Sequence, residues 1–249
     1  LFTRPRRFGK TLNMSMLRYF FEKTDEDNSY LFNGLKIADA GEKYMAHMGQ
    51  YPVISVSLKG VHQSTFEESM EEYKNLIADE YERHHGILES DKITKRKKKL
   101  FESICNGEAS RTAYNNSLKL LTDCLYAIHQ KKVIILIDEY DVPLQNAWLN
   151  GFYEKMVDFI RSLFDAALKT NDSLEFGVLT GCLRISKESI FTGMNNLNVN
   201  SISEVQFSEY FGFTDEEVKV MLNFYGLEQY HAIAKQWYDG YHFGKNQNQ

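Results

Sequence analysis

The sequence predicts an α/β fold, a mainly parallel central sheet covered by helices. Three observations lead there. The runs PVISVSL (52–58) and VIILI (133–137) are short, rich in β-formers and apolar without alternation, as in strands buried on both faces. Charged segments with apolar residues at helical spacing separate the runs, so strands alternate with helices. Three polar signals, Lys10, Asp138 and Thr180, each fall just past a predicted strand end, where open α/β sheets hold their ligands.

Leu1-Phe2-Thr3 reads as the tail of a strand expected to begin upstream. Thr11 to Lys23 reads as a helix with Leu12, Met16, Leu17, Phe20 and Phe21 on its apolar face. Pro52 to Leu58 is a buried strand closed by Lys59-Gly60. Residues 66–106 are charged and helical, with Met70, Tyr73, Leu76 and Ile77 as the apolar stripe. A helix over 112–129 carries Leu118, Leu121, Leu125 and Ile128. The 133–137 strand ends in Asp138, and 152–169 is the next helix. Leu174 to Leu179 is a strand ending in Thr180-Gly181, and Ile202 to Phe207 is read as a short last strand. Thr214 opens a helix with a capping box: Thr214 as N-cap, Glu217 three residues on, and acids in the first turn. The closing WYDGYHFG is read as packing of a small terminal module, and 245–249 as a frayed end.

A chain of 249 residues can bury one substantial core, or a domain with an appendage. The 43% hydrophobic and 25% charged content is that of a soluble globular protein. A formal charge of −5 gives no overall drive toward nucleic acid or anionic membrane. Cys105, Cys124 and Cys182 are an odd set without C-x-x-C spacing, which argues against a disulfide framework or zinc site. No apolar run approaches the ~20 residues of a membrane-spanning helix. A cytoplasmic location and no membrane partner are expected. The basic run Lys95 to Lys99 is read as a solvated helix face.

The run Arg4-Pro5-Arg6-Arg7-Phe8-Gly9-Lys10-Thr11 matches the second half of the phosphate loop G-x-x-x-x-G-K-[ST], with Arg4 at the first glycine position. Gly9 lets the backbone approach phosphate, Lys10 reaches the β- and γ-phosphates, and the Thr11 hydroxyl ligates Mg²⁺. The following helix offers free N–H groups and its positive dipole end. Pro5 has no N–H to give, and Arg4 cannot cheaply take glycine angles. Asp138, at the end of an apolar strand, suits a Mg²⁺-coordinating carboxylate. Glu139 suits a general base acting on water. Asp141 either supports the site from behind or caps the turn before Pro143. Thr180 is a γ-phosphate sensor or a turn residue. Arg184 is a phosphate contact in cis or in trans, or a surface arginine.

Taken in order, RPRRFGKTLNMSML, YPVISVSLKG, VIILIDEYDVPL, GVLTGCLRISKESIFTGMNN, SEYFGFTDEEV and WYDGYHFG resemble the bacterial AAA-ATPase-like family of P-loop ATPases, over nearly the whole chain. The resemblance implies a three-layer P-loop NTPase fold of the additional-strand class, with the Thr180 strand inserted between those of Lys10 and Asp138. It matches Arg6 and Arg7 to the family's RR pair, where the missing glycine is tolerated. It also implies a core over 1–207 and the start of a helical lid over 208–249. Family members commonly continue into a PD-(D/E)xK nuclease-like domain that this chain lacks, so the chain reads as part of a longer protein. Nucleic acid would be a partner through that domain, and an oligomer is left open. The expected activity is ATP hydrolysis with Mg²⁺, coupled to an effector beyond the chain. The alternative is a nucleotide-gated switch with little turnover.

Overall fold

The computed structural model describes residues 1–185, 190–192, 194 and 196–238. Among the described residues four strands form one sheet: β1 (Phe2–Thr3), β2 (Val53–Ser57), β3 (Val133–Asp138) and β4 (Leu174–Gly181). Their order is β1-β4-β3-β2 and every pairing is parallel. The Thr180 strand therefore lies between the strand that feeds Lys10 and the strand that ends in Asp138, the order expected of an additional-strand P-loop fold.

Helix α1 (Lys10–Phe21) follows β1, and the one-turn α2 (Glu42–Met45) precedes β2. Between β2 and β3 come α3 (Phe66–Glu82), α4 (Lys95–Cys105), α5 (Arg111–Asn115) and α6 (Ser117–His129). Helices α7 (Val142–Leu149) and α8 (Tyr153–Phe164) join β3 to β4, and a π-helical turn over Asp165–Lys169 extends α8. Helices α9 (Asp215–Phe224) and α10 (His231–Tyr238) close the described chain.

Strand β3 shows why VIILI lacks alternation. Val133, Ile135 and Ile137 enter the large core built with α3, α4, α6 and α8, while Ile134 and Leu136 enter a smaller core under α1 with Met14, Tyr51 and Val53. Both faces of the strand are covered, so both sets must be apolar. The stripes predicted for α3 and α6 are those that pack.

Four expectations need correction. Of the predicted face of α1, Leu17, Phe20 and Phe21 pack, joined by Met14, whereas Leu12 is 64% exposed and Met16 is exposed as well. The helix carries apolar residues on two sides, so spacing alone could not choose between them. Second, residues 202–207 are not a strand. The pairing there is a single parallel bridge from Phe2 to Asn200, and Phe207 has a left-handed backbone (φ 63°), which interrupts an extended run. Third, Asp141 stands at the N-cap of α7 but its side chain makes no capping bond there, and Pro143 falls in the first turn of that helix, where a missing N–H costs little. Fourth, Trp237 is 78% exposed and Tyr238 is exposed rather than packed, while residues 239–249, with the rest of WYDGYHFG, lie outside the described residues. The capping box of α9 forms as expected, with both Thr214 and Glu217 bonds made.

Among the described residues no helix is long and apolar enough to cross a membrane.

Candidate functional site

The parallel register brings the motifs together at the carboxyl edge of the sheet. Phe2 pairs with Thr180 and Ile137 with Leu179, so the loop leaving β1, the end of β4 and Asp138 converge. Asp138 is the centre of the cluster. The Thr11 Oγ1 hydroxyl donates to its Oδ2 (2.6 Å), and the Thr180 hydroxyl donates to its Oδ1. The Glu139 N–H donates to the same Oδ1 (3.0 Å).

Lys10 is 5% exposed. Its Nζ donates to the carbonyls of Arg4 (3.2 Å) and Pro5 (3.1 Å) and to Cys182 Sγ (3.3 Å). The loop thus folds around the ammonium and holds it with neutral acceptors. Gly9 is the N-cap of α1, with φ 73°. It supplies no capping side chain, whereas α3, α4, α5 and α9 are capped by Thr65, Thr94, Ser110 and Thr214. The N–H groups and positive end of α1 therefore lack a side-chain oxygen, as do those of α2, α6, α7 and α8. Arg6 and Arg7 are exposed beside that end.

Arg4 does something else. It is 1% exposed, and its guanidinium donates to the carbonyls of Thr3 (3.0 Å), Asn200 (2.8 Å) and Phe207 (3.3 Å). It also lies 4.9 Å over the Phe211 ring. Burial pulls its pKa below the ordinary value. The left-handed angles the loop needs are taken by Arg7 (φ 68°) and Gly9, not by Arg4. The objection that arginine cannot take glycine angles at the first position therefore does not arise.

A second set of contacts ties residues 207–212 to the loop. Asn13 Nδ2 donates to the Tyr210 carbonyl (3.0 Å), and the Gly212 N–H donates to the Phe8 carbonyl (3.2 Å). Phe2 packs against Phe207 and Phe211 with ring centroids 5.3 and 5.4 Å apart. Three of the four non-glycine residues with positive φ among those described, Arg7, Glu139 and Phe207, lie in this region. Strained backbone of this kind persists where surrounding contacts over-determine it, and it clusters at functional sites.

The half-buried Glu139 carboxylate makes no hydrogen bond or ion pair among the described residues. Arg184 is exposed on the turn after β4. Asp141 and Tyr140, which the sequence did not single out as a pair, are fully buried and reach across to that turn. Among the described residues no group of three or more His, Cys, Asp or Glu could hold a metal ion by itself. The Thr11 hydroxyl and Asp138 carboxylate, 2.6 Å apart, nevertheless form a hard-oxygen pair of the type Mg²⁺ uses alongside phosphate and water.

A family profile described as a predicted AAA-ATPase matches residues 1–191, a span that contains the phosphate-loop run, the Asp138 cluster and the β4 turn but not residues 200–212. An uncharacterized protein encoded in the vnfD 5′ region of Azotobacter chroococcum mcd 1 is 26% identical over 244 residues, which is 97% of this chain and 41% of that protein. The chain thus spans about two fifths of the length of the curated relative it matches. No solved structure matches the chain.

Proposed function

The chain belongs to the predicted AAA-ATPase family, and from that premise we propose that its carboxyl-edge cluster binds ATP with Mg²⁺ and hydrolyses it. The observation that carries the reading is the triple junction at Asp138, where Thr11, Thr180 and Glu139 all meet one carboxylate.

Each residue has a part. The uncapped start of α1 receives the phosphates. Lys10 exchanges its loop carbonyls for phosphate oxygens; that exchange is favourable because an anion bonds an ammonium more strongly than a carbonyl does. Gly9 admits the close approach, and Phe8, through its backbone, anchors the loop. Arg6 and Arg7 add positive charge at the rim. Arg4 and Pro5 serve by their carbonyls, and Arg4 also by bracing the loop from behind. Thr11 and Asp138 hold the cation, which when bound supplies charge neutralisation at the transferring phosphate. Glu139, whose carboxylate has no partner among the described residues, accepts a proton from water. Thr180 orients Asp138, and Arg184 contacts phosphate from the β4 turn. Mg-ATP turnover tests the reading on the parent, Lys10→Ala and Glu139→Gln; both variants are expected to lose turnover, and equal rates in all three refute it.

One observation favours a second reading, a nucleotide-gated switch with slow turnover. The phosphate loop is bonded to 207–212, immediately ahead of α9, so a change in loop shape is felt by the helical region over 208–249 read as a lid. Tight nucleotide binding, negligible turnover and a nucleotide-dependent change in proteolysis near residue 212 would select this reading over the first.

A further inference from the structure

We infer that Tyr140 and Asp141 are positioning residues that fix the turn leaving β4, and so set Cys182 against Lys10 and hold the backbone from which Arg184 projects. The inference rests on the reading of Lys10 and its neighbours as the phosphate site.

Asp141 is wholly buried, and its Oδ2 is shared by three donors. These are the backbone N–H groups of Cys182 (3.0 Å) and Leu183 (2.8 Å) and the side-chain amide of Gln145 (2.5 Å), one turn along α7. Tyr140 grips the same turn one residue further on. Its hydroxyl donates to the Leu183 carbonyl (2.6 Å) and accepts the Ile185 N–H (3.2 Å). The backbone is therefore held on both sides of Arg184, and the Arg184 side chain is left exposed. Bonds from a carboxylate to two successive N–H groups are charge-assisted and stronger than neutral ones.

The neighbouring glycine shows how tight the grip is. A Cβ at Gly181 would stand 2.5 Å from Asp141 Oδ1 and 2.6 Å from the Tyr140 ring. Both side chains can close on the turn only because residue 181 has none. On its other side the turn presents Cys182 Sγ to Lys10 Nζ at 3.3 Å. A continuous set of contacts thus runs from the end of β3, through Tyr140 and Asp141, to the turn and on to the phosphate-loop lysine. Burial pushes the Tyr140 phenol up to about 12, against the pull of the Ile185 N–H and the Arg184 charge, so the hydroxyl stays protonated as the contact to Leu183 requires.

A residue that only filled the core would lower stability without acting on Cys182 or Arg184 in particular. Tyr140→Phe separates the two roles, since the ring still packs against Phe191 and only the hydroxyl is lost. The first measurement, on the full chain without nucleotide, is the rate of Cys182 alkylation by iodoacetamide, read by peptide mass spectrometry. Cys105 and Cys124 are an internal reference, because burial pushes both thiols up to about 11 and slows them. Loss of one such bond is expected to raise Cys182 labelling about fivefold in Tyr140→Phe, with more in Asp141→Asn and little change at the reference cysteines. The second is a double-mutant cycle on Mg-ATP turnover with Arg184→Ala. Tyr140→Phe is expected to slow kcat while leaving KM within about twofold, and to add nothing once Arg184 is gone.

Unchanged Cys182 labelling in both variants overturns the inference, whatever the nucleotide result. Additive losses in the cycle overturn the link to Arg184. Faster labelling in the variants of a parent that binds no nucleotide upholds the clamp and overturns the phosphate-site reading instead.

Discussion

Replacing Arg4 by glycine would restore the common phosphate-loop pattern, and it is expected to weaken the protein. The guanidinium satisfies three carbonyls that lie on three separate parts of the chain, at 3.0, 2.8 and 3.3 Å. Taking roughly 1 kcal/mol for each of the two shorter bonds and less for the third gives about 2.5 kcal/mol. The contact with the Phe211 ring adds ~0.5–1 kcal/mol. Extra backbone freedom of glycine in the unfolded chain costs another ~0.5–1 kcal/mol. Against these stands the desolvation of the buried guanidinium, visible in its lowered pKa, which the variant no longer bears. The net expectation is a loss of roughly 2–3 kcal/mol, or about 4–12 °C in Tm for a chain of this size. Urea denaturation followed by circular dichroism gives the free energy, and calorimetry gives Mg-ATP affinity, which should fall because residues 207–212 come loose from the loop. Arg4→Lys, which keeps the charge but not the planar fork, should fall between. A glycine variant as stable as the parent, or one that binds nucleotide more tightly, would refute the assignment of Arg4 as a brace.

Other expectations follow from single contacts. Gly212→Ala places a Cβ 2.7 Å from the Phe8 ring at φ +82°, so a loss of about 1–3 kcal/mol and weaker nucleotide binding are expected in denaturation and calorimetry; a neutral result would mean that the loop and the 207–212 segment are independent. Thr11→Ala removes the hydroxyl on Asp138 but little packing, and should reduce Mg²⁺-dependent nucleotide affinity at least ~10-fold with nucleotide-free stability changed by under ~1 kcal/mol. Mg-ATP at ~100 times its Kd should stabilise the parent by about 2.7 kcal/mol, and Lys10→Ala by far less at the same concentration. Glu80 gives a pH signature. Burial alone would raise its pKa, but His84 and Arg83 outweigh burial and hold it below the ordinary carboxylate value. Its contribution is therefore full above about pH 4.3, the unfolded value, and is lost as pH falls below that through the lower folded pKa. Glu80→Gln should flatten the acid limb of stability against pH, and a profile parallel to the parent's would contradict the assignment.

Much of the fold could be read because local signals and packing agree. The 133–137 run is apolar on both faces since both faces are covered, and Thr214 with Glu217 forms the helix start that its spacing announced. The errors fall where local signals are degenerate. Helix α1 has an apolar stripe through Met14, Leu17 and Phe21 and a second through Leu12 and Met16, and only the sheet decides which is inside. Residues 202–207 have strand-like composition, but β1 spends its pairing on Asn200. At the candidate site, Lys10, Thr11, Asp138, Glu139 and Thr180 were legible because each carries a polar group at a strand end. Tyr140, Asn13 and Gly212 were not, and for Asp141 the sequence left open whether it supports the site or caps a turn: their contacts join parts of the chain between 41 and 204 residues apart, and nothing local marks a residue that acts across such a distance. Gly181-Cys182, directly after the Thr180 strand end, was the one signal that could have drawn attention to a tight turn there.

The missing glycine now has a physical account that bears on function. A phosphate loop needs left-handed backbone and an open helix start, and here Arg7 and Gly9 supply both. The first position is thereby released from conformational duty, and the chain uses it for a buried cation that binds carbonyls from β1, from Asn200 and from Phe207. A glycine there could make none of those bonds. The same loop is also bonded to Gly212 through Phe8, and the helix it opens is bonded to Tyr210 through Asn13, so a change in loop shape bears on the segment that leads into α9. Lys10 sits between these supports, held by the carbonyls of Arg4 and Pro5. When an anion draws Lys10 away, two carbonyls beside the Arg4 brace lose their donor at once. On the proposed reading, occupancy of the phosphate site and the position of the following helical region would be coupled through Arg4, the residue that made the motif look incomplete.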